Sequence, residues 1–555
     1  MCVLGGLLYA ILKVAAEWKA PFRAETAIDL SFWKLPLYTL YSLARGWVAM
    51  AFSLVFTILY ATWAYYDDRA RRVLLPVLDI LQSIPVLGFM PGLVLALVSL
   101  FPKSNLGLEL ACVLMIFTAQ VWNMVFSYYD SLKGVPLELR EVGTICHYGG
   151  WQRFRNIELP FAAQGLIYNC MVSMAGGWFF LTINEAFTLG SKDFQLAGVG
   201  SYMSVAIAKN NVPAQIAAVV AMAVMILSMD RLVWWPLVIW SRKFKIEDTA
   251  SGPMESTLVQ RLLTSSHFFS FLQHPPHWLG HVANRRHVAP PRVRTLDAAP
   301  APQAGPKGRL LYGLVVTVAV GAGGVGLFGL LRMLLQVDGD HWLKILLGLG
   351  TTFLRVLGAL ILSSLWTIPA GVWIGLNPKV SRYLQPVIQF AASFPAPMLY
   401  PLIFGWVLAM GGNLDWGAML LMMLGAQWYI LFNVAAGAQS IGADMVACAD
   451  IFHLRGWRRW RQFILPAIFP SLVTGWITSA GGAWNASIVA EYLQQGGHTY
   501  SAFGLGSIIS QATNAGDFHV LAAAVVAMAV VVVAINRTFW KRLQHLGDLY
   551  CRFGP

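Results

Sequence analysis

Long apolar runs separated by short polar segments dominate the chain. About 17 to 25 mostly apolar residues suffice to cross a hydrocarbon core of about 30 Å as a helix. By that measure about twelve runs predict membrane spans: 2–17, 40–66, 74–101, 107–128, 161–183 and 213–240, then 310–335, 345–375, 384–411, 416–438, 467–490 and 519–536. Runs 74–101 and 384–411 are long and contain prolines, so each is expected to be broken or steeply tilted. The first run lacks a basic leader and a small-residue cleavage site, and reads as a short span rather than a signal peptide. The long polar stretch 241–308, rich in Pro, Arg and His, has the composition of an unstructured linker.

Composition agrees with the pattern. Of 555 residues 57% are hydrophobic and only 12% charged, against about 25% charged in soluble chains; this is an all-α polytopic membrane protein. The net charge of +13 raises nucleic-acid binding, but the basic residues lie in short clusters between apolar runs. Loops 67–73, 129–160, 241–308, 376–382, 439–466 and 537–555 hold 26 Lys and Arg, and the alternate loops hold 6. The positive-inside rule then places the first set, with both termini, in the cytoplasm. Six cysteines without CxxC spacing imply neither a disulfide framework nor zinc. The linker histidines His267, His274, His277, His281 and His287 have neither Cys partners nor helical pairing, so no metal site is assigned.

The chain repeats itself. At an offset of 306, Ile145, His147, Gly150, Trp151, Arg153, Arg155, Leu159 and Pro160 recur as Ile451, His453, Gly456, Trp457, Arg459, Arg461, Leu465 and Pro466. The same offset carries Ser173, Gly176, Trp178 and Glu185 onto Ser479, Gly482, Trp484 and Glu491; upstream, an offset of 310 pairs Arg45, Pro76, Pro85 and Pro91 with Arg355, Pro386, Pro395 and Pro401. The organisation is therefore a first repeat over 1–240, the linker over 241–308 and a second repeat over 309–555. With six spans in each, an even number, the copies lie parallel about a pseudo-twofold along the membrane normal.

Segments 138–160 and 444–466 are matching cytoplasmic loops: a short helical stretch, a Gly break, a Trp with alternating Arg, then Leu-Pro entering the next span. Trp and Arg dominate interface hot spots, so these loops suit docking of a soluble partner; the alternative is that Trp151 and Trp457 are interfacial anchors and the arginines set topology. The loops resemble the EAA loop of permease subunits of binding-protein-dependent ABC importers, which runs Glu-Ala-Ala, a Gly four residues later, then Ile-x-Leu-Pro. Glu141 takes the Glu position, and Ile157, Leu159 and Pro160 complete the ending; in the second copy Ala447 replaces the Glu and Phe463 the Ile, before Leu465 and Pro466. His147 and His453 stand where the family has Gly. The spans before each loop are similar to the nitrate, sulfonate and taurine class, and the whole chain resembles a duplicated form in which both permease halves are fused.

The resemblance implies a type I importer fold, a bacterial inner-membrane location, two ATPase subunits docked on the loops and an external solute-binding protein. It also implies a small anion as solute, such as nitrate, a sulfonate or a related oxyanion. No GxxxxGK[ST] occurs, so ATP and Mg belong to the partner ATPase; the chain itself is expected to bind no cofactor and to be a transport subunit rather than an enzyme.

Several membrane residues are candidates for the pathway. Pro85 and Pro395 interrupt apolar spans, as a cavity-lining hinge or a packing kink does. Trp178 and Trp484 repeat within the fifth spans, and Glu185 and Glu491 at their external ends, as a fixed ion pair, an external contact or solvated charges. Asp79 is an acid inside an apolar run, which is costly; its mate is the neutral Gln389. Arg45 and Arg355 repeat near the external parts of their spans, either receiving an anion or pairing internally, for Arg45 with a carbonyl or with Glu185. An ion-gradient transporter is the alternative function; it requires paired charges at midplane, and only Asp79 qualifies. A membrane-embedded enzyme needs a ligand cluster, and nothing at metal spacing repeats beside His147 and His453.

Overall fold

In a computed structural model the structure describes residues 18, 26–83, 85–190, 192–244, 321, 323–495 and 498–550. Run 2–17, most of the linker and the start of run 310–335 lie outside the described residues. The first repeat contains α1 (Leu35–Tyr66), α2 (Asp68–Ser83), α3 (Val86–Leu100), α4 (Leu106–Lys133), the short α5 (Leu137–Ile145), α6 (Gly150–Asn184), α7 (Val199–Ala208) and α8 (Val212–Ser241). The second contains α9 (Gly323–Leu334), α10 (Gly339–Leu376), α11 (Pro378–Ser393), a 3-10 turn (Ala396–Leu399), α12 (Tyr400–Ala409), α13 (Leu414–Gln439), α14 (Ala443–Ile451), α15 (Gly456–Ala490), α16 (Leu505–Ala515) and α17 (Phe518–Gly547).

Among the described residues eight helices are long and apolar enough to cross a membrane, or nine with the bent pair α11–α12, against about twelve expected. Of the four runs without such a helix, 2–17 and 310–335 lie wholly or partly outside the described residues, and the other two are the proline-bearing runs, which are broken. Proline forces its predecessor out of the helical region, and Phe394, before Pro395, has ψ 129°; the chain there bends by 81°. Run 74–101 divides likewise at Pro85, into amphipathic α2 and apolar α3.

The long helices pack through small residues. α1 buries Ser42, Arg45, Ala49, Ser53, Thr57, Ala61 and Ala64, spaced three or four apart, and packs on α4; α10 buries Gly348, Thr352, Val356, Ala359, Ser363, Thr367, Gly371 and Gly375 and packs on α13. Such stripes let helix axes approach where no hydrophobic drive separates protein from lipid. Two β-hairpins were not foreseen: β1 (Ala186–Leu189) pairs with β2 (Lys192–Gln195), Ala186 opposite Gln195, and β3 (Tyr492–Gln495) pairs with β4 (His498–Ser501), Tyr492 opposite Ser501. Each follows the long helix that ends in the repeated Glu.

The repeats join reciprocally. α6 packs on the 3-10 turn of the second repeat, and α15 packs on α3 of the first. Gly190 N–H donates to Thr513 C=O at 3.0 Å, fixing the first hairpin to the second repeat. The amide of Val86, left without a helical partner by the break at Pro85, donates to Asn485 Oδ1 across the same boundary at 2.8 Å. The short helices α5 and α14 of the two matching loops lie at the chain end of α4 and α13 opposite to Asn105 and Asn413. Cysteines placed at the two ends of α13, in a cysteine-free background, are therefore expected to separate: Asn413→Cys reacts with an impermeant thiol reagent in intact cells, and Gly442→Cys does not. Labelling at 442 alone contradicts the orientation drawn from the charge bias.

Candidate functional site

Three features recur at matching positions: a buried ion cluster, a helix–turn–helix loop before the fifth long run and the lining of a cavity between the repeats.

In the first cluster Arg45 is 1% exposed and each of its three guanidinium nitrogens donates a hydrogen bond. Nε and Nη2 form a fork to Glu109 at 2.6 and 2.7 Å, and Nη1 donates to Glu185 Oε1 at 2.7 Å and to Ala197 C=O at 2.8 Å. Glu185 also accepts from Ser42 Oγ at 2.6 Å and from Gly200 N–H at 2.7 Å, while Ser42 Oγ accepts from Val199 N–H at 2.9 Å. The carboxylate and hydroxyl thus cap the start of α7, where unpaired amides and the helix dipole favour negative charge. A Cβ at Gly198 would overlap the Glu185 carboxylate, so only glycine admits this approach.

The second repeat rebuilds the cluster. Arg355 Nη1 donates to Glu491 at 3.0 Å and to Phe503 C=O at 2.8 Å, and Nη2 donates to Asp415 at 2.8 Å. Thr352 takes the place of Ser42, donating to Glu491 at 2.9 Å and accepting from Leu505 N–H at 2.8 Å. Here Asp415 is 57% exposed, whereas Glu109 is 1% exposed. Of the two sequence readings, internal pairing is what the structure shows: Arg45, Glu185, Arg355 and Glu491 bind one another and the backbone, and none lines the central cavity. The sequence reading missed Glu109 and Asp415. Both are acids in the first turn of their helices at the 306 offset, so extending the repeat search to acid-for-acid exchange would have found them.

In the loops, α5 and α14 both end in a Schellman turn. His147 N–H donates to Thr144 C=O and Tyr148 N–H to Gly143 C=O, at 3.0 and 2.9 Å; His453 and Leu454 repeat the pair with Asp450 and Ala449 at 3.0 Å each. The turn requires a left-handed residue, and His147 and His453 have φ 52° and 49°. This accounts for histidine where the family has glycine: the position demands positive φ, which His adopts more readily than most side chains. Trp151 and Trp457 are 63% and 73% exposed, and Glu141, Arg155, Arg461, Gly150 and Gly456 are exposed beside them. Leu159–Pro160 and Leu465–Pro466 enter the core after a π-helical turn, Phe154–Glu158 and Trp460–Ile464. Because proline has no amide to donate and its ring crowds the preceding turn, the widened turn lets each long helix continue through it.

Of the cavities lined by both repeats, the one with the most repeat-related lining has a volume of about 270 Å3. Thr118, Ala119 and Trp122 of α4 face it with their mates Leu424, Gly425 and Trp428 of α13, and Gly176 of α6 with its mate Gly482 of α15. Pro85 and Trp484 line it, and Pro395 sits between the lining residues Phe394 and Ala396. Trp178 is instead buried against Gly46 of α1. Its described lining contains no Lys, Arg, Asp or Glu. Asp79 corrects the expectation of an acid within an apolar span: α2 is amphipathic, and Asp79 is 40% exposed at 3.7 Å from Lys541 of α17, in a second cavity that shares Gln82, Ile477 and Asn536 with the first. Among the described residues no group of three His, Cys, Asp or Glu could hold a metal ion.

The family described as binding-protein-dependent transport system inner membrane component matches twice, over residues 53–235 and 367–539. The nitrate import permease protein NrtB of Leptolyngbya laminosa is 26% identical over 33% of this chain and 62% of its own length. The taurine transport system permease protein TauC of Escherichia coli is 27% identical over 34% and 62%, and the bicarbonate transport system permease protein CmpB of Synechococcus elongatus 29% identical over 26% and 50%. The matches thus span under two thirds of each of these relatives.

The two ion clusters differ in burial, and this gives a direct test. Removing one partner of a buried pair strands the others and costs about 3 to 5 kcal/mol. Arg45→Gln is therefore expected to lower the unfolding midpoint of the detergent-purified protein markedly, and Arg355→Gln less, because Asp415 is open to solvent. Equal shifts for the two variants contradict the assignment.

Proposed function

This chain belongs to the binding-protein-dependent transport system inner membrane component family, and from that premise we propose that it is the fused permease of an ATP-driven importer, with the solute crossing between its two repeats. The carrying observation is the central cavity, lined from equivalent positions of both repeats. A fused pair supplies in one chain the two facing walls that alternating access needs, and rocking of one against the other exposes the cavity to either side.

Supply of energy falls to separate ATPase subunits on the exposed faces around Trp151 and Trp457, since the sequence holds no phosphate-cradling loop. An external solute-binding protein delivers to the opposite side, where the hairpins lie. The solute is a small anion, such as nitrate, a sulfonate or a related oxyanion; support comes from the names of NrtB, TauC and CmpB. Arg45 and Arg355 are committed to their own carboxylates, so the anion is met in the cavity by uncharged donors, among them the side chains of Asn123, Gln389, Trp122 and Trp428.

The test is uptake into proteoliposomes. Purified alone, the chain is expected to hydrolyse no ATP and to accumulate no solute under an imposed ion gradient. With its ATPase and binding protein present, ATP is expected to drive uptake of an anion. Gradient-driven uptake by the chain alone overturns the importer reading, and ATP-driven uptake of a neutral or cationic solute overturns the anion.

A further inference from the structure

The two loops are alike in backbone and different in attachment. In the first repeat Glu158, in the π-helical turn at the start of α6, is 5% exposed. Its carboxylate meets the phenol O–H of Tyr66, the last residue of α1. Arg153, one turn earlier, places Nε 3.0 Å from Glu158 Oε1 and its guanidinium carbon 4.7 Å from the centre of the Tyr66 ring. Arg140 of α5 lies 5.9 Å from the Tyr65 ring centre and donates to Lys133 C=O at the end of α4 at 3.0 Å. Arg153 meets Glu158 as an ion pair without a hydrogen bond from Nε, so the directional contacts that hold the orientation are the Tyr66 O–H on the buried carboxylate and the cations on the aromatic faces.

At the repeat-related positions only Arg153 keeps its residue type. Tyr65, Tyr66, Arg140 and Glu158 become Gly375, Leu376, Val446 and Ile464. Arg459, the mate of Arg153, turns back within its own loop to Asp450 at 2.7 Å. A Cβ at Gly375 would press on Ala438, so the inner end of α10 closes directly onto α13 in place of holding the loop.

We infer that Glu158 is a positioning residue that ties the first coupling loop to the end of α1, so that force applied to the first loop moves that end of α1, whereas the second loop moves with α15 and has no such tie to the end of α10. The inference rests on the importer reading for its consequence, but the tie itself is a property of the isolated chain. In the repeat that carries the tie, α1 also packs on α4, which forms one wall of the cavity; the first loop therefore drives that wall through two helices.

Glu158→Gln keeps shape and removes the charge; Tyr66→Phe keeps the ring under Arg153 and removes only the O–H; Asp450→Asn breaks the internal pair of the second loop. Hydrogen exchange on the purified chain reads the tie without any ATPase. Glu158→Gln and Tyr66→Phe are expected to speed exchange across both 150–158 and the end of α1, leaving 456–464 unchanged, while Asp450→Asn speeds exchange in 450–464 with no change at the end of α10. In the reconstituted transporter, with ATPase association retained, the first two variants are expected to lower solute taken up per ATP hydrolysed by at least about fivefold, the lower range of coupling between sites; Asp450→Asn leaves that ratio near the parent value. Glu158→Asp, which retains charge, restores part of it. Should Glu158→Gln fail to fold, Tyr66→Phe decides. Unchanged exchange at the end of α1 in Tyr66→Phe, or an equal loss of coupling in Asp450→Asn, overturns the inference. A parent chain that associates with no ATPase overturns the importer reading instead, and the exchange result still stands.

Discussion

The fold depends on a charge that cannot be left alone. A guanidinium at the position of Arg45 has no water to turn to, and the chain meets it with two carboxylates and a carbonyl drawn from α4, the end of α6 and the segment before α7. Satisfying one buried cation therefore fixes four segments at one end of the bundle. The same carboxylate caps α7, so the helix that begins after the hairpin is aimed by the ion cluster rather than by its own ten residues. The cluster also joins α4 to the end of α6, two helices of the first repeat that line the cavity.

The second repeat uses the same solution with looser parts. Thr352 replaces Ser42 and Asp415 replaces Glu109, and the shorter acid reaches Arg355 from a more open position. The polar logic survives, and the degree of burial does not. At the opposite end of the molecule the difference is larger, since the tyrosine, arginine and glutamate that hold the first loop have glycine and aliphatic mates. Pseudo-symmetry is thus strict where backbone amides must be satisfied and relaxed where side chains only set how one helix follows another.

How far the sequence showed this depends on the kind of signal. Apolar runs and the 306 and 310 offsets disclosed the long helices, the parallel repeats and both loops, because hydrophobic length and repeated register are local to the chain. The broken helices were foreseen at Pro85 and Pro395, where a missing amide is visible in one letter. Partnership was harder. Arg45 stood out as a repeated cation, but Glu109 lies 64 residues away and its mate is a different acid, so nothing in a search for identical residues links the two. The π-helical turns and the left-handed histidines were hidden for another reason: they are backbone consequences of Leu-Pro and of a tight helix end, and composition has no mark for them. Asp79 misled because hydropathy averages over a run and does not see that α2 is amphipathic.

Fusion of the two repeats bears on what the differences can accomplish. In a permease made of two identical chains, any substitution in a coupling loop appears on both sides, and the tie from Glu158 to Tyr66 would be present twice or not at all. One chain carrying both copies removes that constraint. The cost of a buried carboxylate is then incurred once, where Tyr66 and Arg153 satisfy it, and the other side keeps the close helix contact that Gly375 permits. Neither arrangement fits in the place of the other: a tyrosine at the position of Gly375 would collide with α13, and a glutamate at the position of Ile464 would find no phenol. Each loop is therefore matched to the helix beside it, and the duplication preserves the cavity lining while the two loops keep different attachments.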